Sequence, residues 1–435
     1  MRILLHGINY SPELTGIGKY SGEMGAWLAA RGHDVRVVTA PPYYPAWRVG
    51  SGYRGWTYRT EPGSSSAPVR VYRCPVYVPQ RPSGPTRILH LGSFMLSSFP
   101  IMLGQVQWRP DVVLAVEPSL LSAFSALTTA RMAHALSWLH VQDFEVDAAF
   151  DLGLLVADGR MHRFAEGLER GTMKRFNVVS TISDNMVERL SQKGVASEKT
   201  VLFPNWVDTD EIAPMGHPSL LRTELGLGPD RVVLLYSGNM GMKQGLDILP
   251  VLARQCMADP RIHFIFCGDG AYRPQLARQL HGVANVTMLP LQPLARLNDM
   301  LNAADVHLLP QRSDAADLVM PSKLTGMLAS GRPVITTAAP GTQVATAVHS
   351  RGMAVAPDDM AAFVAAVQAL ADNPGLRQTM GANARRHAVE FLGKERVLAR
   401  FEEDMQRALS RHRALSRKRD SRLAHGTVGS SRGSL

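Results

Sequence analysis

Apolar and polar positions along the first forty residues follow one order. "RILLH" is a short apolar run, "GINYSPELTGIGKY" a glycine-containing loop, and the segment to Ala30 repeats apolar residues at helical spacing. A turn at Gly32 then leads into the apolar run "DVRVVTA". The same order returns from Arg231, where "RVVLLYSGNMGMKQGLDILPVLARQ" reads strand, glycine-containing loop, helix, and "IHFIFCGDG" supplies the next strand. Each is a strand–helix unit feeding a parallel sheet. Two such beginnings, about 230 residues apart, predict two Rossmann-like doubly wound α/β domains. Further strands are expected at 111–117, 135–143 and 177–183 in the first domain, and at 285–290, 305–311 and 332–337 in the second. Helical patterns at 359–372 and 374–409 close the ordered part.

Pro, Asn and Asp punctuate 201–214, so the domain boundary is placed there. The resulting division is 1–205, an N-terminal Rossmann-like domain, and 206–385, a C-terminal one. Residues 386–410 form a helix returning toward the first domain, and 411–435 a basic tail. That tail is polar and ends "GTVGSSRGSL", which predicts disorder.

A chain of 435 residues with 45% hydrophobic and 19% charged residues suits a folded protein of two or three domains. Cys74, Cys256 and Cys267 are too few and too scattered for a disulfide framework or a zinc site, and buried reduced thiols are expected. "MRILLHGINY" lacks the charged-then-apolar pattern of a signal segment and reads as a first strand. The apolar stretch from Ile88, "ILHLGSFMLSSFPIMLGQVQW", is broken by Gly, Ser and Pro. It is expected to be a core-facing helix rather than a membrane-surface patch or a span. The formal net charge of +10 invites an anionic partner, but no zinc-finger or aromatic-basic RNA motif supports nucleic acid. Much of the excess lies in Arg407, Arg411, Arg413, Arg417, Lys418, Arg419, Arg422 and Arg432, which suits an anionic membrane surface.

Candidate chemistry sits where loops leave strand ends, the usual ligand edge of an open parallel sheet. In "LTGIGKY", Gly16 and Gly18 let backbone approach an anion with a helix N-terminus behind it, although two glycines there are as often only a turn. "SGNMGMKQG" offers Gly238, Asn239, Gly241 and Lys243, glycine-rich backbone with a lysine, as a diphosphate needs. It lacks the full pattern of a nucleotide-hydrolysing phosphate loop. In "MPSKLTGMLASGRPVI", Pro321 suits a first helical turn. Ser322 is a candidate acceptor for orphan N–H groups, and Lys323 adds a positive charge for phosphate. "LHVQDFEVDAAF" places His140, Gln142, Asp143, Glu145 and Asp147 at a strand's end, a density of polar groups that packing alone does not explain. His140 reads equally as a satisfied core histidine, and Asp143 is the stronger ligand-facing candidate. Asp208 and Asp210 in "VDTDE" lack a third ligand nearby, so a turn-capping role is expected and no metal site is assigned.

Taken in order, "GINYSPELTGIGKYSGEM", "FPNWVDTD", "YSGNMGMKQGLD", "CGDGAYR", "MPSKLTGMLASGRPVI" and "DNPGLRQTMGANARRHA" resemble the family-four glycosyltransferases of the two-domain GT-B type. With "APPYYPAW", the opening fifty residues resemble the bacterial glycosyltransferases of colanic acid biosynthesis, the branch assigned as fucosyltransferases. The resemblance implies a nucleotide-sugar donor held mainly by the second domain and an acceptor held by the first across a cleft. It also implies retention of anomeric configuration without a required metal. Guanine, and so a GDP-sugar, is favoured only by the resemblance. Backbone N–H groups at Gly16–Gly18 and Ser322–Lys323 are then placed to stabilise charge on the departing diphosphate.

Two departures from the family pattern matter. An expected Arg reads Asn239, and the paired glutamates fall on Leu318 and Gly326. Asp317, or Asp314, is a candidate substitute for the sugar contact, and Asp143 and His140 flank Gln142, which stands where the family's catalytic histidine is expected. The reading is therefore transfer of one sugar to a lipid-linked oligosaccharide in exopolysaccharide assembly, on the cytoplasmic face of the membrane. A nucleotide-sugar epimerase of the same fold and a non-catalytic sugar-binding subunit are the alternatives.

Overall fold

The computed structural model describes residues 1–428 apart from 15, 64–68, 82, 118–119, 145–158, 242–243 and 313–319. Side chains are described only as far as 418, and those of 120 and 159–162 are also outside it. Two compact units divide the chain. The first comprises Met1–Ile182, Met186–Phe203 and Leu398–Leu435, and the second Ser183–Asn185 and Pro204–Val397.

The first unit has eight strands: β1 (Arg2–His6), β2 (Asp34–Thr39), β3 (Arg59–Pro62), β4 (Val69–Arg73), β5 (Val112–Val116), β6 (Leu136–Val141), β7 (Val178–Thr181) and β8 (Thr200–Leu202). They lie in the order β3-β4-β2-β1-β5-β6-β7-β8, parallel except for the β3–β4 pair. β1, β5 and β6 are almost continuously apolar and buried, as strands covered on both faces must be. Helices α1 (Gly16–Ala30), α2 (Gly84–Gly104), α3 (Leu120–Ala133), α4 (Gly159–Arg175) and α5 (Asp184–Gln192) belong to the connections.

The second unit's sheet contains β9 (Val232–Asn239), β10 (Ile262–Asp269), β11 (Val286–Leu289), β12 (Val306–Leu309), β13 (Val334–Thr337) and β14 (Gly352–Val355). Their order is β11-β10-β9-β12-β13-β14, all parallel. Between and after them come α6 (Leu220–Glu224), α7 (Leu249–Gln255), α8 (Arg273–Gln279), α9 (Leu297–Asn302), α10 (Lys323–Ala329), α11 (Gln343–Val348), α12 (Met360–Asp372) and α13 (Pro374–His387). Two apolar clusters cover the sheet, one around Leu234, Phe264, Phe266 and Leu370, the other around Val233, Leu235, Met327 and Leu328. Adjacent β9 residues thus face opposite layers, as the two-residue period of a strand requires.

Three expectations from sequence are revised. The pattern at 374–409 is not one helix: after α13 a π turn at Ala388–Leu392 and extended Gly393 intervene before α14 (Lys394–Val428). The tail from 411 is helical to Val428 rather than disordered. Its Arg, Lys, Ala and Leu are helix formers, no Pro interrupts it, and polarity alone concealed this. Upstream, Phe401 stacks on Phe203 at 3.9 Å and meets Trp138 edge-on, and Glu402 accepts from His33 at 2.8 Å and Arg31 at 3.2 Å. Finally, α2 buries only His90, Phe94, Ser98 and Met102, so it is not the core-facing helix expected from its composition.

All three cysteines are buried free thiols. Asp208 accepts from the backbone N–H groups of Asp210 and Glu211, both at 3.2 Å, and pairs with Lys394 at 3.5 Å. That is the turn-capping geometry.

Candidate active site

In the first unit the loops after β1 and β2 are fastened together by one carboxylate. Glu13 Oε1 accepts from the backbone N–H groups of Tyr43 and Tyr44, both at 3.0 Å, and Oε2 accepts from Asn9 Nδ2 at 3.0 Å. Burial raises the Glu13 pKa, and these bonds oppose the rise. Gly18 explains how the carboxylate fits. A Cβ there would lie 2.3 Å from Glu13 Oε2 and 2.6 Å from Glu13 Cβ. Glycine at 18 is therefore demanded by Glu13, whatever approaches from outside. Gly16 opens α1 at φ +61°, in the left-handed region, with the Tyr44 ring 3.5 Å from where its Cβ would be. Asp143 lies just beyond β6, partly exposed. Burial first, then the charges of Asp143 and Glu13, hold the Tyr44 phenol protonated. Gly16, Gly18 and Asp143 are thus gathered around Tyr44 and Glu13, two residues that sequence reasoning did not single out.

His140 sits deeper. Trp138 Nε1 donates to Ser180 Oγ at 2.8 Å, and His140 Nδ1 lies 3.0 Å from the same oxygen. Gln142 Nε2 lies 2.9 Å from His140 Nε2, which puts the ring proton on Nδ1. Complete burial pushes the His140 pKa down to about 3, so the ring is neutral at physiological pH. With both nitrogens engaged and Phe203 against the ring at 4.9 Å, this environment matches the packed core histidine that its sequence also allowed.

In the second unit the site is built at the carboxyl ends of β9 and β10. These strands pair to their last residues, Gly238 with Gly268 and Asn239 with Asp269. The approach is so close that a Cβ on Gly268 would lie 1.9 Å from the Gly238 carbonyl oxygen, and one on Gly270 2.6 Å from that of Met240. Gly238 adopts φ +117°. Asn239 is exposed, and its carbonyl accepts from Tyr236 Oη at 2.6 Å. Gly241 follows, with Asn239 Nδ2 3.3 Å from the position of its Cβ.

Lys323, the first residue of α10, reaches this point. Its Cδ lies 3.7 Å from where a Gly238 Cβ would be, and its Nζ lies 4.0 Å from the Tyr236 ring centroid. The carbon stem is partly exposed, but Nζ itself is buried and has no hydrogen-bond partner among the described residues. Burial alone lowers its pKa to about 7. A cation over a ring recovers about 0.5–2 kcal/mol, less than the hydration it has lost. The ammonium is held where an anion would complete its shell. Ser322 does not cap the helix: its side chain makes no cap bond, and its carbonyl instead accepts from Thr325 Oγ1 at 2.8 Å. Gly331 ends the segment at φ +69°, with Pro214 2.7 Å from its Cβ position. Glu145, Asp147, Lys243, Asp314, Asp317 and Leu318 lie outside the described residues.

Residues 15–206 match the family described as "Glycosyl transferase 4-like domain", and 220–387 match "Glycosyl transferases group 1". A protein named as a colanic acid biosynthesis glycosyl transferase, WcaI of Escherichia coli (strain K12), is 42% identical over 423 residues, spanning 93% of this chain and all of its own length. The chain belongs to this glycosyltransferase family. Among solved structures, sucrose-phosphate synthase from Thermosynechococcus elongatus superposes with TM-score 0.73 at 15% identity, over 94% of this chain and 100% of that one. Anabaena HepE in complex with UDP and glucose gives 0.66 at 17% identity, over 93% and 100%. These likenesses establish the GT-B fold, two parallel-sheet α/β domains. The glycosyltransferase thus matches one family model along each half of its chain.

Proposed function

We propose that this glycosyltransferase moves a sugar, with fucose from GDP-fucose the favoured donor, onto a lipid-linked oligosaccharide during assembly of a colanic-acid-type exopolysaccharide, with retention of anomeric configuration. The observation that carries the donor assignment is the buried ammonium of Lys323 beside the Gly238 turn. A diphosphate oxygen there would accept from Nζ, restore its charge and neutralise the negative charge that grows as the glycosidic bond to the donor breaks. The glycine-lined ends of β9 and β10 leave backbone open to the same group. In the first unit, Asp143 and Tyr44 beside Gly16 are the groups proposed to meet the acceptor. What supports the pathway is the identity with WcaI, and what supports a nucleotide donor is HepE's complex with UDP and glucose.

Thermal shift with GDP, UDP, dTDP and their sugars tests the donor reading. A nucleotide at about one hundred times its dissociation constant stabilises by about 2.7 kcal/mol. A shift with one nucleotide family identifies the base, and no shift with any of them rejects the assignment. The anomeric configuration of the isolated product tests retention.

A further inference from the structure

α2 spends its apolar character on the outside. With the following turn it forms a helical run of 25 residues, Gly84–Trp108, long and apolar enough by length and composition to cross a membrane. Yet only 28% of its most apolar stretch is buried. The helix is nevertheless tied into the first unit. His90 Nδ1 lies 2.5 Å from the Tyr77 carbonyl, and Ser98 Oγ 3.1 Å from His6 Nε2. It therefore lies along the protein and does not leave it. Ile88, Leu89 and Leu96 are exposed at 51%, 58% and 69%. Phe99 stacks at 6.1 Å on Phe124 of α3, itself 62% exposed, so the apolar strip continues onto the neighbouring helix.

The segment carrying this strip has charges of one sign in its own sequence; of these, Arg73 is buried against Glu61, and Asp34 from β2 accepts from Trp108 Nε1 at the end of the run. Residues 62–110 contain five arginines and neither Asp nor Glu, and α3 adds Arg131 without an acidic residue. Arg81 and Arg109, near the two ends of α2, are exposed. Tyr58, half exposed, donates its hydroxyl to the Ser97 carbonyl of α2 at 3.0 Å, and Tyr77 is exposed beside Ser93. Apolar residues at the centre, tyrosines beside them and arginines at the ends are the composition of an element that lies in a bilayer interface.

We propose that the outward face of α2 and α3 seats the enzyme on an anionic bilayer. The proposal rests on the lipid-linked acceptor of the preceding reading and assigns membrane contact to this face rather than to the C-terminal arginines. Apolar side chains enter the acyl boundary, and each arginine at the headgroups contributes about fivefold to partitioning.

Flotation of the full chain with vesicles of phosphatidylglycerol in phosphatidylcholine, and with phosphatidylcholine alone, tests this. The wild type is expected to float with the anionic vesicles and far less with the neutral ones. Leu89→Glu with Leu96→Glu should weaken that binding at least tenfold, because two inserted groups become like-charged to the lipid. Reversal of the tail by Arg417→Glu with Lys418→Glu should leave most of it. Both positions in α2 are exposed, so an unchanged melting temperature verifies folding of the double variant. A wild type that does not float, or a double variant that floats like it, overturns the proposal, as does binding lost only in the tail variant. Nucleotide thermal shifts without vesicles report separately on the donor reading, which stands or falls independently of flotation.

Discussion

Replacing Lys323 by Met keeps an unbranched side chain of similar length in the slot over Tyr236 and removes the ammonium. Its effects on stability and on donor binding are opposite in sign. In the unfolded chain the lysine titrates near its ordinary value of 10.5, and in the fold burial lowers this to about 7. Between those values the unfolded state binds more protons, so stability rises with pH there and is lowest below pH 7. At 1.36 kcal/mol per pKa unit the lysine costs the empty enzyme at most about 5 kcal/mol below pH 7. Partial exposure of the stem and solvent screening reduce this to about 2–4 kcal/mol. Lys323→Met should therefore raise the stability of the ligand-free enzyme at pH 6–7, measured by urea denaturation, and the gain should vanish as pH approaches 10.5. Donor binding should weaken by roughly ten- to one-hundred-and-fifty-fold, the worth of a charged hydrogen bond of about 1.5–3 kcal/mol. A sugar nucleotide's diphosphate is fully ionised throughout, and the variant's own profile corrects for the ring N–H of the base, which begins to titrate near pH 9. Lys323 is about half protonated at pH 7 and about one per cent at pH 9, so wild-type affinity should fall about five- to thirty-fold more than the variant's across that interval. Calorimetric titration at both pH values decides it. A destabilised variant, or a wild type whose donor affinity does not change with pH, would refute the reasoning.

Gly18→Ala should destabilise by about 1–3 kcal/mol by thermal or urea unfolding, because its Cβ collides with the Glu13 side chain; a melting temperature like the wild type's would show that Glu13 has room to move. Gly326→Ala, within α10 and only 3.5 Å from Leu301 Cδ1, should stabilise by about 0.5–1 kcal/mol, and a coincident loss of donor affinity would show that the nucleotide packs on that backbone. His6, His140 and His307 are buried with pKa values near 3, so the unfolded chain takes up protons first and stability should fall as pH drops from about 6.5 toward 3. Denaturation midpoints unchanged between pH 7 and pH 5 would contradict that. Lys193→Met leaves Glu169 buried opposite an apolar group and should cost about 3–5 kcal/mol in the same assay.

The two sheets were legible because buried parallel strands are written as short apolar runs, and the runs beginning at Arg2, Arg231 and Ile262 each became a strand within a few residues. β3 and β4 were missed: "RTEP" and "VRVYR" are polar or alternating, and β3 joins antiparallel at an edge. β8 was read as loop because it is only three residues before a proline-rich linker. Lys323 was visible as a charge at a helix start, but its burial over the Tyr236 ring was not, since Tyr236 stands 87 positions earlier in the sequence. Glu13 shows the converse: "SPEL" looks like an exposed turn, and only the fold reveals that it ties Tyr43 and Tyr44 to the β1 loop. α2 misled because its apolar composition is real and only its orientation is unusual. A sequence carries the period of a helix more clearly than which side meets the core.

The central claim is that the site at β9, β10 and Lys323 presents a nucleotide sugar for transfer. It is tested most directly by incubating the purified enzyme with GDP-, UDP- and dTDP-sugars and a detergent-dispersed lipid-linked oligosaccharide, and following product by mass spectrometry. One donor should yield a glycosylated acceptor and an equal amount of nucleoside diphosphate, and Lys323→Met should reduce the rate by at least tenfold at pH 7. Transfer at the wild-type rate by Lys323→Met would contradict the assigned site.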